Sequence, residues 1–314
     1  MPTPVPPKAL IIRTAGTNCD AEMVRAFEMA GAAASLVHVD RLIADPAQVD
    51  GFDLIGFPGG FSYGDDIASG RILAMKLREK LYPALRDAAR RGVAMIGACN
   101  GFQVMVQVGL LPGPRDRGIK GSRDQGTGHS IPRSLDPLIP SWPEDAAPPQ
   151  TASLSFNSGG RFIDRWVEVT PNPASPCIWT QGLGGLAEAF AASSEPSEIS
   201  DLKSQILRLP IAHGEGRFVT ASPQVLQDLR AGGQIALTYA PHDNPNASEA
   251  DIAGICDASG RIFGLMPHPE RYLDWTMHPF WTRLPAHVKQ GPTPPPGLMM
   301  FENAVRAVQR VGAK

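Results

Sequence analysis

The chain predicts an α/β fold in which a mostly parallel sheet is covered by helices on both faces. Two observations carry this. Strand-like and helix-like segments alternate along the N-terminal part, and the strand-like ones are continuous apolar runs rather than alternating patterns. With 314 residues, 43% of them apolar and 19% charged, the composition is globular and the chain can bury a sizeable core.

Taken in order, Lys8 to Arg13 (KALIIR) reads as a short buried strand. Asp20 to Gly31 has helical spacing, with Met23, Val24, Phe27 and Ala30 on one face and Gly31 as the stop. Ala34 to Val39 (ASLVHV) is a second strand. Phe52 to Phe57 (FDLIGF) is a third, ending in Pro58-Gly59-Gly60. Ile67 to Arg91 contains helical segments interrupted near Pro83. Val93 to Ala98 (VAMIGA) is a fourth strand, followed at once by Cys99 and a helical Phe102 to Val108. From Leu111 to about Ala152 the pattern dissolves into Pro, Gly, Ser and charge, long for a loop inside a domain. Arg161 to Thr170 alternates like an antiparallel strand, and Gln205 to Ile211 and Gln234 to Tyr239 read as further strands. Ile262 to Met266 (IFGLM) is a buried strand ending in Pro267-His268-Pro269-Glu270, and Met299 to Val311 closes the chain as a helix. No internal repeat is present.

Composition also limits the function. The 29 basic and 31 acidic residues nearly cancel, so no broad field argues for nucleic acid or an anionic membrane as partner. The 31 prolines and 32 glycines predict long loops. Cys19, Cys99, Cys177 and Cys256 lie far apart, without metal-ligand spacing, and make a poor disulfide framework. The opening Met-Pro-Thr-Pro-Val-Pro-Pro lacks the features of a signal peptide, and no apolar run approaches the roughly 18 residues of a membrane span. A cytoplasmic protein with free thiols and no metal is expected.

The strongest local signal is Gly97-Ala98-Cys99-Asn100-Gly101-Phe102-Gln103, set between a buried strand and a helix. A nucleophile at such a junction sits on a sharp turn at the carboxyl edge of the sheet. The helix N-terminus favours a thiolate there, and the Asn100 N–H is placed to stabilise an oxyanion. Alone, the same residues would suit a buried structural cysteine. His268 and Glu270 supply what a thiol needs. Cys99 as nucleophile, His268 as acid/base and Glu270 as orienter complete a triad by role, at the ends of two strands of one sheet. Phe57-Pro58-Gly59-Gly60-Phe61-Ser62 also sits at a strand end, and its glycines free the backbone to complete an oxyanion hole through Gly60. An ordinary strand-exit turn would carry the same PGG. Cys19 follows the first strand without a partner motif and reads as structural or near the site.

Together, GACNGFQ, PGGFSYGDD and MPHPER resemble the class I (triad) glutamine amidotransferases. Gly16 to Asp20 (GTNCD) and Pro210 to Phe218 (PIAHGEGRF) point to the branch of that family that serves purine biosynthesis. The resemblance covers residues 8–111 and 151–273. It implies a flavodoxin-like three-layer α/β/α sandwich and glutamine hydrolysis by Cys99, His268 and Glu270. Gly60 and Asn100, with Gly59 beside them, would hold the oxyanion, and Gln103 would lie against glutamine. His213 and Glu215, remote in sequence from the triad motifs, would serve a partner interface or the passage of ammonia; a packed His–Glu turn is the alternative. The chain itself would need no cofactor. ATP and magnesium would belong to a separate synthetase subunit that takes up the ammonia, with a small third subunit as a bridge.

The fit predicts one amidotransferase domain over residues 1–314, with a Pro-rich leader (1–7), a loop insertion (112–150) and a C-terminal extension (274–314). Arg115, Arg117, Lys120 and Arg123 in the insertion read as a solvated basic loop. Trp275, Phe280 and Trp281 would either cover partner surface or pack the extension onto the domain. No GxxxxGK[ST] occurs and nothing else reads as a nucleotide site; one missing motif does not exclude ATP binding, but activation of the acceptor is expected on a separate chain. The competing expectations are another amidotransferase or cysteine hydrolase on the same scaffold, and a non-catalytic module retaining the fold.

Overall fold

The computed structural model describes residues 5–114, 142–144, 146–186 and 206–312, so the basic positions 115–123 lie outside the described residues. The strands are β1 (Lys8–Arg13), β2 (Ala33–His38), β3 (Leu54–Phe57), β4 (Ala94–Ala98), β5 (Ala152–Ser155), β6 (Ile163–Pro171), β7 (Arg208–His213), β8 (Arg217–Thr220), β9 (Ile235–Tyr239), β10 (Ile252–Cys256) and β11 (Ile262–Leu265). The helices are α1 (Asp20–Met29), α2 (Val39–Ala44), α3 (Arg71–Lys80), α4 (Tyr82–Arg90), α5 (Asn100–Val108), α6 (Pro223–Ala231), α7 (Ala286–Gln290) and α8 (Pro296–Gly312).

Nine strands make one sheet in the order β2-β1-β3-β4-β11-β10-β9-β6-β7. The block from β2 to β11 is parallel, and the remaining pairings are antiparallel. β5 and β8 form a separate antiparallel pair. The expected α/β/α layering is present, with apolar cores on both sides of the sheet. On one side α1 and α8 bury Phe27, Met300 and Phe301; on the other α3, α4 and α5 bury Leu77, Leu85 and Phe102. β3 and β4 are buried at every position, as continuous apolar runs require.

The topology decides where chemistry can sit. β3, β4 and β11 are neighbours and parallel, so their carboxyl ends share one edge of the sheet. Phe57, Ala98 and Leu265 therefore deliver Pro58-Gly59-Gly60, Cys99 and His268 to the same place, although β11 is far away in sequence.

Several elements depart from the sequence reading. The interruption near Pro83 is a break at Leu81, with Pro83 in the first turn of α4, where its missing N–H costs nothing. Strands β5, β8 and β10 and helices α2, α6 and α7 were not expected. The C-terminal extension packs onto the sheet domain. Phe301 meets Phe27 edge-to-face at 5.0 Å and Trp179 at 6.2 Å, and Trp275 is buried. Phe280 and Trp281 stay partly exposed, under the cations of Arg283 and Lys289. If α8 belongs to the core, Phe301→Ala should cost about 3–5 kcal/mol in urea unfolding; a loss under about 1 kcal/mol would make the extension an appendage.

Candidate active site

β4 ends at Ala98 and α5 begins at Asn100, leaving Cys99 alone on the turn at φ 51° and ψ −110°. A non-glycine residue held there carries about 1–3 kcal/mol of strain, which surrounding contacts must offset. The Cys99 N–H donates to the Leu265 carbonyl at 2.8 Å, and its carbonyl accepts from Gln103 N at 3.1 Å. Small residues let the turn close: a Cβ at Gly101 would run into the Phe57 carbonyl, and one at Gly97 into Met105. Cys99 is almost fully buried, and its Sγ donates to the Ala212 carbonyl at 3.5 Å.

His268 is anchored by its N–H, which donates to Pro210 O of β7 at 2.8 Å. A single helical turn, Pro269–Arg271, brings Glu270 back beneath the imidazole. His268 Nδ1 donates to Glu270 Oε1 at 2.6 Å with both side chains buried, and Nε2 meets no hydrogen-bond partner among the described residues. Burial disfavours the imidazolium, but the Glu270 carboxylate and Cys99 act in the opposite sense, and the His268 pKa rises well above its ordinary value. The arrangement leaves one ring nitrogen fixed by a carboxylate and the other free to carry protons.

The glycine loop is held against this pair by the turn after β1. Asn18 N and Cys19 N donate to the Gly59 carbonyl at 3.4 and 3.2 Å, and Phe61 N donates to Gly16 O at 2.9 Å. Gly59 has to be glycine because a Cβ would lie 2.7 Å from His268 Cε1. Gly60 sits at φ +142°, where a Cβ would meet Asn18 N and Gly16 O at 2.7 Å. GTNCD thus serves as the template for the glycine loop.

Cys19 lies in this template, with Sγ accepting from Arg271 Nη2 at 3.0 Å and standing 3.9 Å from His268 Nδ1. Cys19, His268 and Glu270 bring three ligand-type atoms within 4.8 Å of one another. The Arg271 guanidinium on the sulfur would repel a cation, and His268 Nδ1 is already bonded to Glu270, so the set does not fit a metal ion. Cys177 and Cys256 are buried away from the triad; Cys177 beside it and burial push the Cys256 thiol well up, against reactivity.

Asn100 and Gln103 are buried on the first turn of α5. Asn100 Nδ2 donates to Asp65 Oδ1 at 3.2 Å and to Gln103 Oε1 at 3.0 Å, and its Oδ1 accepts from Ser62 N at 3.3 Å. Gln103 Nε2 in turn donates to the Glu215 carbonyl. Both ends of the Gln103 amide are thus engaged by protein, and Gln103 ties the helix to the segment that follows β7.

That segment, though remote in sequence, lies against the nucleophile. Ala212 O meets Cys99 Sγ, Glu215 O meets Gln103, and His213 is buried between them. Only the Glu215 backbone makes the contact with Gln103. His213 Nδ1 bonds to Asn157 Oδ1 at 3.1 Å, and Asn157 Nδ2 donates to the carbonyls of His213 and Arg161 at 2.8 and 2.9 Å. Sequence reasoning missed Asn157, Asp65 and the Ala212 carbonyl. Asn157 sits in the small-residue run FNSGG, Asp65 in PGGFSYGDD and Ala212 in PIAHGEGRF, but their contacts with His213, Asn100 and Cys99 depend on tertiary pairing.

Burial and the nearby His268 lower the His213 pKa to about 4. The folded value lies below the unfolded one, so acid protonates the unfolded chain first, and stability falls as pH drops from about 6.5 toward 4. Unfolding free energies from pH 7 to pH 4 should therefore fall less in His213→Asn than in the parent, by up to about 3 kcal/mol. Parallel curves would mean that His213 titrates normally.

Among the described residues no helix is long and apolar enough to cross a membrane. The CobB/CobQ-like glutamine amidotransferase domain model matches residues 6–195 and 189–308. A phosphoribosylformylglycinamidine synthase subunit PurQ from Dehalococcoides mccartyi is 36% identical over 97% of this chain and 98% of its own length. The corresponding Methanococcus maripaludis subunit is 36% identical over 86% of this chain and 84% of its own. A chain of the PurLQS structure from Thermotoga maritima aligns with a TM-score of 0.60 and 26% identity, over 99% of this chain and 100% of that one. With a glutamine amidotransferase model and PurQ relatives matching over nearly its whole length, the chain belongs to the class I glutamine amidotransferase family, within the PurQ subunits of phosphoribosylformylglycinamidine synthase.

Proposed function

We propose that this chain is the glutaminase subunit of a cytoplasmic phosphoribosylformylglycinamidine synthase, acting as one amidotransferase unit that releases ammonia from glutamine for a synthetase subunit. The observation that carries the reading is the buried His268–Glu270 pair, 2.6 Å apart with Nε2 free, at the sheet edge that holds Cys99 on its strained turn.

In this reading Cys99 Sγ leaves the Ala212 carbonyl and attacks the side-chain amide of glutamine, its proton passing to His268 Nε2. The Asn100 N–H, in the helix turn where N–H groups lack intrahelical acceptors, and the Gly60 N–H take the developing oxyanion. His268 then returns the proton to the amide nitrogen, the C–N bond breaks, and a glutamyl thioester remains. Water, deprotonated by His268, attacks the thioester and glutamate departs. Glu270 keeps Nδ1 protonated and stabilises the imidazolium that forms twice in the cycle. Gly59 keeps the imidazole close by carrying no side chain, and Gln103 positions the glutamine site by linking α5 to the Glu215 backbone.

The similarity to a chain of PurLQS supports a synthetase partner, and by the same reading a small third subunit bridges the two. No residue of the site requires a cofactor. ATP and magnesium act on the synthetase, which activates formylglycinamide ribonucleotide for attack by ammonia.

Glutamate release, measured with and without the synthetase, ATP, magnesium and the ribonucleotide, should rise strongly with the full set. Cys99→Ala should abolish it by at least about a thousandfold while ammonia-supported synthesis stays within about twofold. Hydrolysis that ignores the synthetase would move the chain to another amidotransferase or a stand-alone cysteine hydrolase.

A further inference from the structure

The buried surroundings of His213 leave one group that the triad does not use. Asn157 Nδ2 donates to two carbonyls while its Oδ1 accepts from Gly216 N at 3.1 Å, which fixes the orientation of the amide. Its Oδ1 therefore requires a donor from the imidazole, and His213 carries its proton on Nδ1. His213 Nε2 is left as a bare lone pair, buried and without a partner among the described residues. The ring packs against Gly216, where a Cβ would run into it. An unpaired buried acceptor is costly, and a small hydrogen-bond donor at Nε2 would offset that cost.

We propose that His213 Nε2 is the first acceptor for the ammonia released at Cys99, a positioning role in handing ammonia to the synthetase. The inference rests on the glutaminase function proposed above. His213 adjoins Ala212, whose carbonyl meets the nucleophilic sulfur. When the C–N bond breaks, ammonia leaves as a neutral molecule and donates one N–H to Nε2; no proton is transferred and no bond is made. A protonated imidazole would turn ammonia into ammonium, which is no nucleophile, whereas burial and His268 keep this one neutral. Two further buried polar groups, Asn246 and Tyr239, belong to the same part of the fold. The Asn246 carbonyl accepts from Ser158 N at 3.4 Å, next to Asn157, and the Tyr239 hydroxyl lies beside the Asn246 amide. They give a polar continuation to the same buried region.

Two variants separate this role from a structural one. In His213→Asn the side chain reaches only the Nδ1 position, keeping a donor for Asn157 and removing the acceptor. In His213→Gln it reaches the Nε2 position and can present Oε1 there. The test uses the full chain in complex with the synthetase, ATP, magnesium and the ribonucleotide, and reads amidated product per glutamate and free ammonia. The parent should stay close to equimolar. His213→Asn should lower the ratio by about fivefold, the missing nitrogen appearing as free ammonia, and His213→Gln should recover at least half of it. Ammonia-supported synthesis, which bypasses the site, reports an intact complex; should His213→Asn fail to fold, His213→Leu takes its place under the same criteria. An unchanged ratio would overturn the proposal, as would hydrolysis and synthesis falling in proportion. A parent whose hydrolysis ignores the synthetase would instead refute the functional reading itself.

Discussion

The site depends on one close approach: the turn carrying Cys99 is pressed between the ends of β3 and β11. Its N–H is tied to Leu265 at 2.8 Å, and Gly101 packs so near the Phe57 carbonyl that no side chain fits. Those contacts hold a cysteine at φ 51°, a backbone state it would otherwise leave. The strain is useful. It lifts the sulfur clear of both strand and helix while leaving the first N–H groups of α5 available beside it.

The rest of the machinery is arranged around that fixed point by backbone, more than by side chains. The turn after β1 grips the glycine loop through three main-chain hydrogen bonds, and Pro210 and Ala212 of β7 receive the His268 N–H and the Cys99 thiol. An edge strand from the antiparallel half of the sheet thereby spans two members of the triad. The His268–Glu270 pair can be buried completely because the helical turn places one carboxylate oxygen on one ring nitrogen. Carboxylate and cysteine together overcome the cost of burying a charged imidazole, the condition for proton transfer at that ring.

Much of this was legible in the chain. The elbow reads from sequence because its causes are local: an apolar run, a small-residue turn and a helical repeat. The triad reads because parallel strands deliver their carboxyl ends to one edge. The role of PIAHGEGRF does not read, because its contact with Cys99 arises from long-range pairing between β6, β7 and β9. β5 and β8 have four residues each, too short for periodicity to stand out. β10 (IAGIC) is a buried apolar run, but Gly254 and a register irregularity blur it. Helix α6 does carry local punctuation, Ser222 before it, Pro223 as its first residue and Gly232-Gly233 after it, yet stands apart from the regular alternation of the N-terminal part. Trp275 and Phe301 show the same limit: aromatic content alone does not tell an interface from a core, and packing against Phe27 and Trp179 decides for Phe301.

Two buried thiols, Cys19 and Cys99, flank His268, and nucleophilic attack belongs to only one of them. The direct test is to react the protein with a diazoketone analogue of glutamine, which alkylates the nucleophile of a glutamine site, and to map the label by peptide mass spectrometry. The label should fall on the peptide containing Cys99, be blocked by excess glutamine and disappear in Cys99→Ala, while Cys19→Ala remains labelled. Glutamine-protected labelling of Cys19, or labelling that survives Cys99→Ala, would contradict the assignment of the strained elbow as the reactive centre.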